Sequence, residues 1–371
     1  MKRILLLSSE FPPGPGGIGQ HAYSLAKALC KENFEVLVMS PADYATEEEV
    51  VQFDSSQVFS IIRFKRSGPV LTYINRIRAV YSCIKKKDIK HVVLTGKFSL
   101  WIGLLLKITN SKFKTTAILH GSEVNLKDWM LRKLTHASIH SADNIIAVSS
   151  FTKSILPRTI LKAKEIHVIP NGIELIEQDE NIGEGKVELV GKPCLLTVGH
   201  VTPRKGQHRV VIALPYLVKK YPLIHYHMVG TPNTKKEVEE LALNLGVAEH
   251  ITFHNRIERH EDLEKYYNAC DIFMLLSENQ SDGDVEGFGI VALEANLSGK
   301  PVVGAVNCGI EDAVKNDFSG YLVDGNNSIE IAAAVELCLF NKERLEITSR
   351  DWAKQHNWKN IVKMYIPFLG A

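Results

Sequence analysis

Twice over, this chain alternates short apolar runs that stop at turn residues with longer runs of helical period, and few architectures can absorb that pattern. In the first half the apolar runs are Lys2 to Ser9, Glu35 to Ser40, Val58 to Phe64, His91 to Thr95, Lys114 to Leu119, Asn144 to Val148 and His167 to Ile169. Runs without polar alternation suit strands covered on both faces, as in parallel sheets. Stretches 71–87, 98–109 and 126–140 have helical spacing between them. The second half restarts with strands at Pro193 to Val198, His225 to Val229, Ile251 to Phe253, Asp271 to Leu276, Pro301 to Gly304 and Gly320 to Val323. Helices are expected there at Gln207 to Lys220, 234–244, 260–268 and 328–339. The alternation predicts an α/β protein, and its restart predicts two doubly wound, Rossmann-like parallel sheets. A length of 371 residues suits two domains of about 180 residues better than one core. The acidic segment Glu174 to Glu188 reads as the linker, giving domains at 1–175 and 176–355. The aromatic-rich residues 356–371 are expected to pack back on the first domain.

An apolar content of 45% and a charged content of 23% exclude a disordered chain. No apolar run reaches the roughly 18 residues of a membrane span, Leu100 to Ile108 being the longest candidate. Met1-Lys2-Arg3 leads directly into a strand without a small-residue cleavage site, so no signal peptide is expected. Six cysteines scattered singly, without CxxC spacing, point to reduced thiols in a cytoplasm and away from structural zinc. The net charge of +2 hides an asymmetry: residues 1–180 carry 24 Lys and Arg against 17 Asp and Glu. From Val58 to Lys114 there are thirteen cations and one acid, Asp88. Such a basic half implies an anionic neighbour. Within it the apolar stripe Val70, Ile74, Ile77, Tyr81 and Ile84 fits a helix packed on the sheet. The cations point instead to the anionic surface of a membrane, bound peripherally.

Four stretches carry candidate chemistry. Ser281 to Glu294, SDGDVEGFGIVALE, joins a polar loop to a helix expected to start near Phe288. There the Glu286 carboxylate and the amides of Phe288, Gly289 and Ile290 would converge, with Glu294 two turns deeper. Carboxylates accept from vicinal diols and free amides donate to phosphate or hydroxyl oxygens, which suits a sugar joined to a nucleotide. The same stretch also fits a plain helix start whose acids complement the macrodipole. Arg204 and Lys205, in a loop between a strand and a helix, put two cations where a diphosphate would sit. His120 ends the fifth strand, the end of a parallel sheet at which ligands bind, though a histidine there can also be structural. Gly14, Gly16 and Gly19 spell G-x-G-x-x-G, but four residues including two prolines separate the first glycine from the strand. That spacing disfavours a dinucleotide fingerprint with Asp43 as the ribose acid.

PPGPGGIG at 12–19, HGSE at 120–123, IPNGI at 169–173, VGHVTPRKG at 198–206 and EGFGIVALEA at 286–295 occur in one order over nearly the whole chain. This set resembles the retaining glycosyltransferases of the GT-B fold, family 4. DVEGFGIV looks most like mannosyltransferases acting on phosphatidylinositol lipids. The resemblance implies two Rossmann-like domains facing each other across a cleft and transfer of a hexose from a nucleoside diphosphate sugar, GDP-mannose or a UDP-sugar. The acceptor would be a lipid-linked or polysaccharide hydroxyl, and the enzyme would sit peripherally on the cytoplasmic face of a membrane, with no nucleic acid among its partners.

Carried over by position, Gly17 and Gly19 would lie near the diphosphate and acceptor, and His120 at the reacting sugar. Arg204 and Lys205 would bind diphosphate. Glu286 with Phe288, Gly289 and Ile290 would hold sugar hydroxyls, Glu294 the ribose, and Arg256 with Ile257 the base. His120, Glu286, Arg204 and Lys205 form the implied catalytic set, and His200 stands where the family usually has arginine. Asp282-Gly283-Asp284 spells the D-x-D of metal-dependent transferases, but the cationic loop already neutralises phosphate, so no metal or other cofactor is expected. The same architecture also serves hydrolysing nucleotide-sugar 2-epimerases, and a non-catalytic nucleotide-sugar-binding module is the other alternative. A dehydrogenase is disfavoured by the glycine spacing.

Overall fold

The computed structural model describes residues 2–14, 16–42, 45–64, 69–109, 113–175, 187–257 and 259–370, without the side chains at 69–71 and 260. Asp43 and most of the acidic linker lie outside the described residues. The chain divides into two compact units: Met1–Gly172 with Trp358–Ala371, and Ile173–Asn357.

The first unit runs β1 (Lys2–Ser8), α1 (Gly17–Lys31), β2 (Phe34–Pro41), α2 (Glu47–Ser55), β3 (Ser60–Phe64), α3 (Pro69–Lys87), β4 (His91–Thr95), α4 (Lys97–Thr109), β5 (Lys114–Leu119), α5 (Trp129–Ser141), β6 (Asn144–Ala147), α6 (Ser150–Ser154), α7 (Arg158–Ala163) and β7 (Ile166–Val168). Among the described residues its sheet has seven strands in the order β3-β2-β1-β4-β5-β6-β7. Every pair is parallel, with Leu6 opposite Val38 on one side and Val93 on the other. The apolar strand runs follow from this placement: His91 to Thr95 is buried at every position because helices cover both faces. One face is closed by α3, α4 and α5, whose Val80, Cys83, Phe98, Leu106 and Ile139 share a core with β1, β2, β4, β5 and β6. The stripe on α3 therefore packs on the sheet through Ile77, Val80, Tyr81 and Ile84. Only its beginning is open, with Tyr73 and Ile74 exposed.

The second unit runs β8 (Cys194–Val198), α8 (Gln207–Lys220), β9 (His225–Val229), α9 (Lys235–Asn244), β10 (Ile251–His254), α10 (His260–Ala269), β11 (Ile272–Leu275), α11 (Ile290–Leu297), β12 (Val302–Ala305), α12 (Ile310–Ala313), β13 (Gly320–Val323), α13 (Ser328–Phe340) and α14 (Lys342–Gln355). Among the described residues its six parallel strands lie in the order β10-β9-β8-β11-β12-β13. The final helix α15 (Trp358–Tyr365) belongs to the first unit. Trp358, Ile361, Val362 and Tyr365 form its buried face by helical spacing, and Tyr365 Oη shares a hydrogen bond of 3.1 Å with His21 Nε2 on α1. Beyond it the Phe368 carbonyl accepts from Thr116 Oγ1 at 2.7 Å and Asn144 Nδ2 at 3.1 Å, tying the chain end to β5 and β6.

In both units the strand order reverses beside the first strand, between β1 and β4 and between β8 and β11. Loops leaving the carboxyl ends of those strands diverge there and open a crevice for ligands. No described helix is long and apolar enough to cross a membrane.

Candidate active site

In the second unit the carboxyl end of β8 feeds a loop that closes at Gly206. This residue holds a left-handed backbone (φ 74°), and a Cβ there would fall on the carbonyl of Leu276 at the end of β11. Glycine thus lets the loop dock on the neighbouring strand, which sets Arg204 and Lys205 beside Glu286. Arg204 Nη1 donates to Glu286 Oε2 at 2.7 Å, Lys205 Nζ donates to the same oxygen at 2.6 Å, and Ser277 Oγ follows at 3.3 Å. Burial alone would raise the Glu286 carboxyl; Lys205 and Arg204 outweigh it and hold the group below the ordinary range. Arg204 Nε also pairs with Asp284 at 2.9 Å, while Asp282 Oδ1 accepts the Asp284 amide at 3.0 Å. Both aspartates of the D-x-D are therefore engaged, Asp282 within its own loop and Asp284 by Arg204 of the neighbouring β8 loop.

The helix after this loop starts at Ile290 rather than near Phe288. Gly289 is left-handed (φ 84°) and caps the helix from outside, without a side-chain hydrogen bond to the first-turn amides. Phe288 is buried rather than facing the loop surface. The later start also puts Glu294 one turn into the helix, not two. There Glu294 Oε2 accepts from Tyr267 Oη at 2.8 Å, and Tyr267 is fully buried on α10.

His200 is exposed just past β8. Partial burial, followed by Arg256, Lys205 and Arg204, presses its ring toward the neutral form. Arg256 and Ile257 follow β10, so the ends of β8, β10 and β11 gather His200, Arg204, Lys205, Arg256 and Glu286 in one neighbourhood. Buried Arg209 was not expected from the sequence. It donates to the carbonyls of Leu276 (3.3 Å) and Ser277 (3.4 Å) and to Asn326 Oδ1 (2.9 Å), fixing the strand end on which the cluster stands.

In the first unit Gly17 is the open first residue of α1, whereas Gly19 is buried and its amide donates to Glu10. His120 follows β5, with Nε2 sharing a 2.8 Å hydrogen bond with Thr95 Oγ1 and its ring edge-on to His21 at 4.9 Å. Burial pushes His120 down to about 4, so the ring is neutral near pH 7. Glu123, which ends the HGSE motif but had no role assigned from the sequence, accepts the His120 amide on Oε1 at 2.6 Å; its Oε2 is buried without a partner. Burial pushes this carboxyl up to about 7.

The chain is similar to known proteins in sequence and fold. The family model for Glycosyltransferase Family 4 matches residues 15–177, and that for Glycosyl transferases group 1 matches residues 179–356. The GDP-mannose-dependent alpha-(1-6)-phosphatidylinositol monomannoside mannosyltransferase of Mycolicibacterium smegmatis is 27% identical over 96% of this chain and 94% of its own. Sucrose-phosphate synthase from Thermosynechococcus elongatus superposes with a TM-score of 0.77 at 20% identity, covering 99% of this chain and 98% of its own. HepE of Anabaena in complex with UDP-glucose gives 0.74 at 19% identity, covering 99% of both chains. With two transferase domains adjoining along its length and the α/β architecture of GT-B enzymes, this chain belongs to the family 4 glycosyltransferases, its second half being a group 1 glycosyl transferase domain.

Proposed function

We propose that this glycosyltransferase moves a hexose from a nucleoside diphosphate sugar to a hydroxyl of a lipid-linked acceptor, with retention at the anomeric carbon, at the cytoplasmic face of a membrane. The observation that carries the reading is the convergence of Arg204, Lys205 and Ser277 on one oxygen of Glu286. As a glycosidic bond breaks, the sugar gains oxocarbenium character and the departing diphosphate gains negative charge. Two cations already oriented by a carboxylate stabilise that charge without reorganising, and the first-turn amides of α11, which no side chain caps, add donors beyond the Glu286 loop. Glu286 is then placed for the sugar hydroxyls, Glu294 for the ribose, Arg256 and Ile257 for the base, and His120 for the reacting sugar. No side chain is assigned as a nucleophile; the leaving phosphate takes the acceptor proton on the same face. The relative acting on a phosphatidylinositol mannoside with GDP-mannose supports that donor and a lipid acceptor, while the UDP-glucose complex of the structural neighbour keeps UDP-hexoses in the screen.

Thermal-shift screening tests the donor. A nucleotide sugar at about 100 times its Kd stabilises the folded chain by ~2.7 kcal/mol, and GDP-mannose or one UDP-hexose is expected to do so. A chain that no nucleotide sugar stabilises is not this enzyme. Lys205→Ala is expected to lose ~1.5–3 kcal/mol of charge-assisted binding, roughly 10- to 150-fold in kcat/KM. Unchanged donor kinetics in the folded variant would remove Lys205 from the site.

Activity is also expected to survive EDTA, since Arg204 of the β8 loop already holds Asp284 and supplies positive charge beside it. Loss on chelation with rescue by Mg²⁺ or Mn²⁺ would make the two aspartates metal ligands.

A further inference from the structure

We propose that the first two turns of α5, with the loop leading into them, are a lipid-contact surface that seats on a bilayer carrying anionic headgroups. The proposal rests on the reading of a lipid-linked acceptor and adds where the contact is made. Trp129 is 58% exposed and Met130 62%, with Leu131 and Leu134 also open, so four large apolar side chains crowd two turns of one surface helix. Single exposed apolar residues are ordinary; a contiguous group is a mark of contact with something apolar.

Cations surround the group. Lys133 Nζ stands 4.7 Å over the Trp129 ring, Lys127 is exposed in the loop before the helix, and half-buried Arg132 follows. The only acid among them is Asp128, whose Oδ1 accepts the amides of Met130 and Leu131, both at 2.9 Å. An indole and a thioether ringed by lysines match the layer where acyl chains meet headgroups, since long cationic side chains lay their stems on apolar surface and keep their charge among phosphates. A protein partner fits less well, because lysine is depleted from the cores of protein interfaces.

The position suits the chemistry. α5 follows β5, so its first turn lies at the carboxyl end of the sheet, eight residues after His120 reaches Asp128. α3 and α4 begin at the same end. They are joined side by side through Tyr73 and Phe98 (ring centroids 5.4 Å apart), and α4 is joined to α5 through Trp101 Nε1 and Thr135 Oγ1 (2.9 Å). The exposed Tyr73 and Ile74 of α3 and Lys97 of α4 extend the surface along that end. By contrast, Lys85, Lys86 and Lys87 close α3, and Lys90 and Lys114 precede or open strands, all at the opposite end of the sheet. Arg63 is bound to Asp54 at 2.7 Å, and Arg76 is buried between Phe64 and Phe98. The basic stretch from Val58 to Lys114 is therefore not one surface, and the sequence count overstated it as a membrane patch.

Sedimentation of the full chain with vesicles tests the proposal, comparing phosphatidylglycerol-containing with pure phosphatidylcholine vesicles. The parent is expected to pellet with the anionic vesicles. Trp129→Ser with Met130→Ser, and separately Lys127→Glu with Lys133→Glu, should each lower that partition about tenfold or more, at unchanged melting temperature. Phe340→Ser, at an 88% exposed residue of the second unit, should leave it unchanged. Parent binding that both double variants retain overturns this surface and leaves the lipid-linked acceptor standing. A parent that pellets with neither vesicle overturns both. Double variants that lose activity equally on a water-soluble acceptor without vesicles overturn the lipid contact in favour of a sugar contact.

Discussion

Glu286→Ala is expected to lower kcat/KM by about 10²-fold or more and to cost ~3 kcal/mol of stability. The carboxylate takes hydrogen bonds from two cations and a hydroxyl on one oxygen, in a position only 9% exposed. Each hydrogen bond to a charged group contributes about 1.5–3 kcal/mol, and removing one partner of a buried ion pair leaves the other charge uncompensated. The stability loss falls at the low end of the ~3–5 kcal/mol range for a broken buried pair because Arg204 keeps Asp284. Lys205, whose side chain is 12% exposed, bears most of it. Activity and affinity should part company. Glu286 competes with a diphosphate for the same two cations, so the variant is expected to bind nucleoside diphosphate as well as the parent or better while turning over far more slowly. Chemical denaturation, calorimetric binding of the nucleoside diphosphate and donor kinetics on one preparation measure all three. A folded variant within threefold of parental kcat/KM would mean that the cluster only clamps the loop to β11.

Sequence reading located this loop because the chemistry is local. EGFGIVALE places a carboxylate, a helix start and a second carboxylate within nine residues, and the PRKG turn carries its cations side by side. What it did not show is what satisfies those groups. Tyr267 beneath Glu294 and Arg209 under the β11 end arrive from other elements, and Ser277 beside Glu286 from the far end of the same loop; no spacing rule connects them.

The strands were legible for a physical reason as well: a strand covered on both faces must be apolar throughout, and such runs stand out. Helices with one thin buried stripe do not. α14 buries Leu345, Ser349 and Ala353 on a largely polar helix, and α2 buries only Val50. For α2 a usable signal was present, since Thr46 and Glu49 form a capping box in which Glu49 accepts the Thr46 amide at 2.8 Å. Counting cations from Val58 to Lys114 failed for the complementary reason: a count along the chain does not separate the two ends of a sheet.

The other large effect is expected from pH, through Glu123. Burial raises this carboxyl to about 7, against hydrogen bonds from the amides of His120, Glu123 and Gly121 that lower it. A carboxyl raised in the folded state holds its proton more tightly there than in the unfolded chain. Its contribution is therefore present in full below about pH 4.5 and is lost as pH rises to about 7. His91, His120 and His225 are each pushed down to about 4, chiefly by burial, and act in the opposite sense: their contribution is gained as pH rises from about 4 to 6.5. Three groups outweigh one, so stability should climb through that window and then fall slightly as Glu123 alone ionises near pH 7. Glu123→Gln isolates the single carboxyl, because any fixed cost of the amide cancels when pH values are compared. A carboxyl raised from 4.5 to about 7 corresponds to ~3 kcal/mol, so the variant should gain that much relative to the parent between pH 4.5 and pH 8, roughly 6–12 °C in melting temperature. A difference between the two proteins that stays constant across that range would place Glu123 in the ordinary carboxyl range. In that case the His120 loop would rest on a carboxylate charged throughout, and the orphaned Oε2 would need a donor beyond those the described residues place against it.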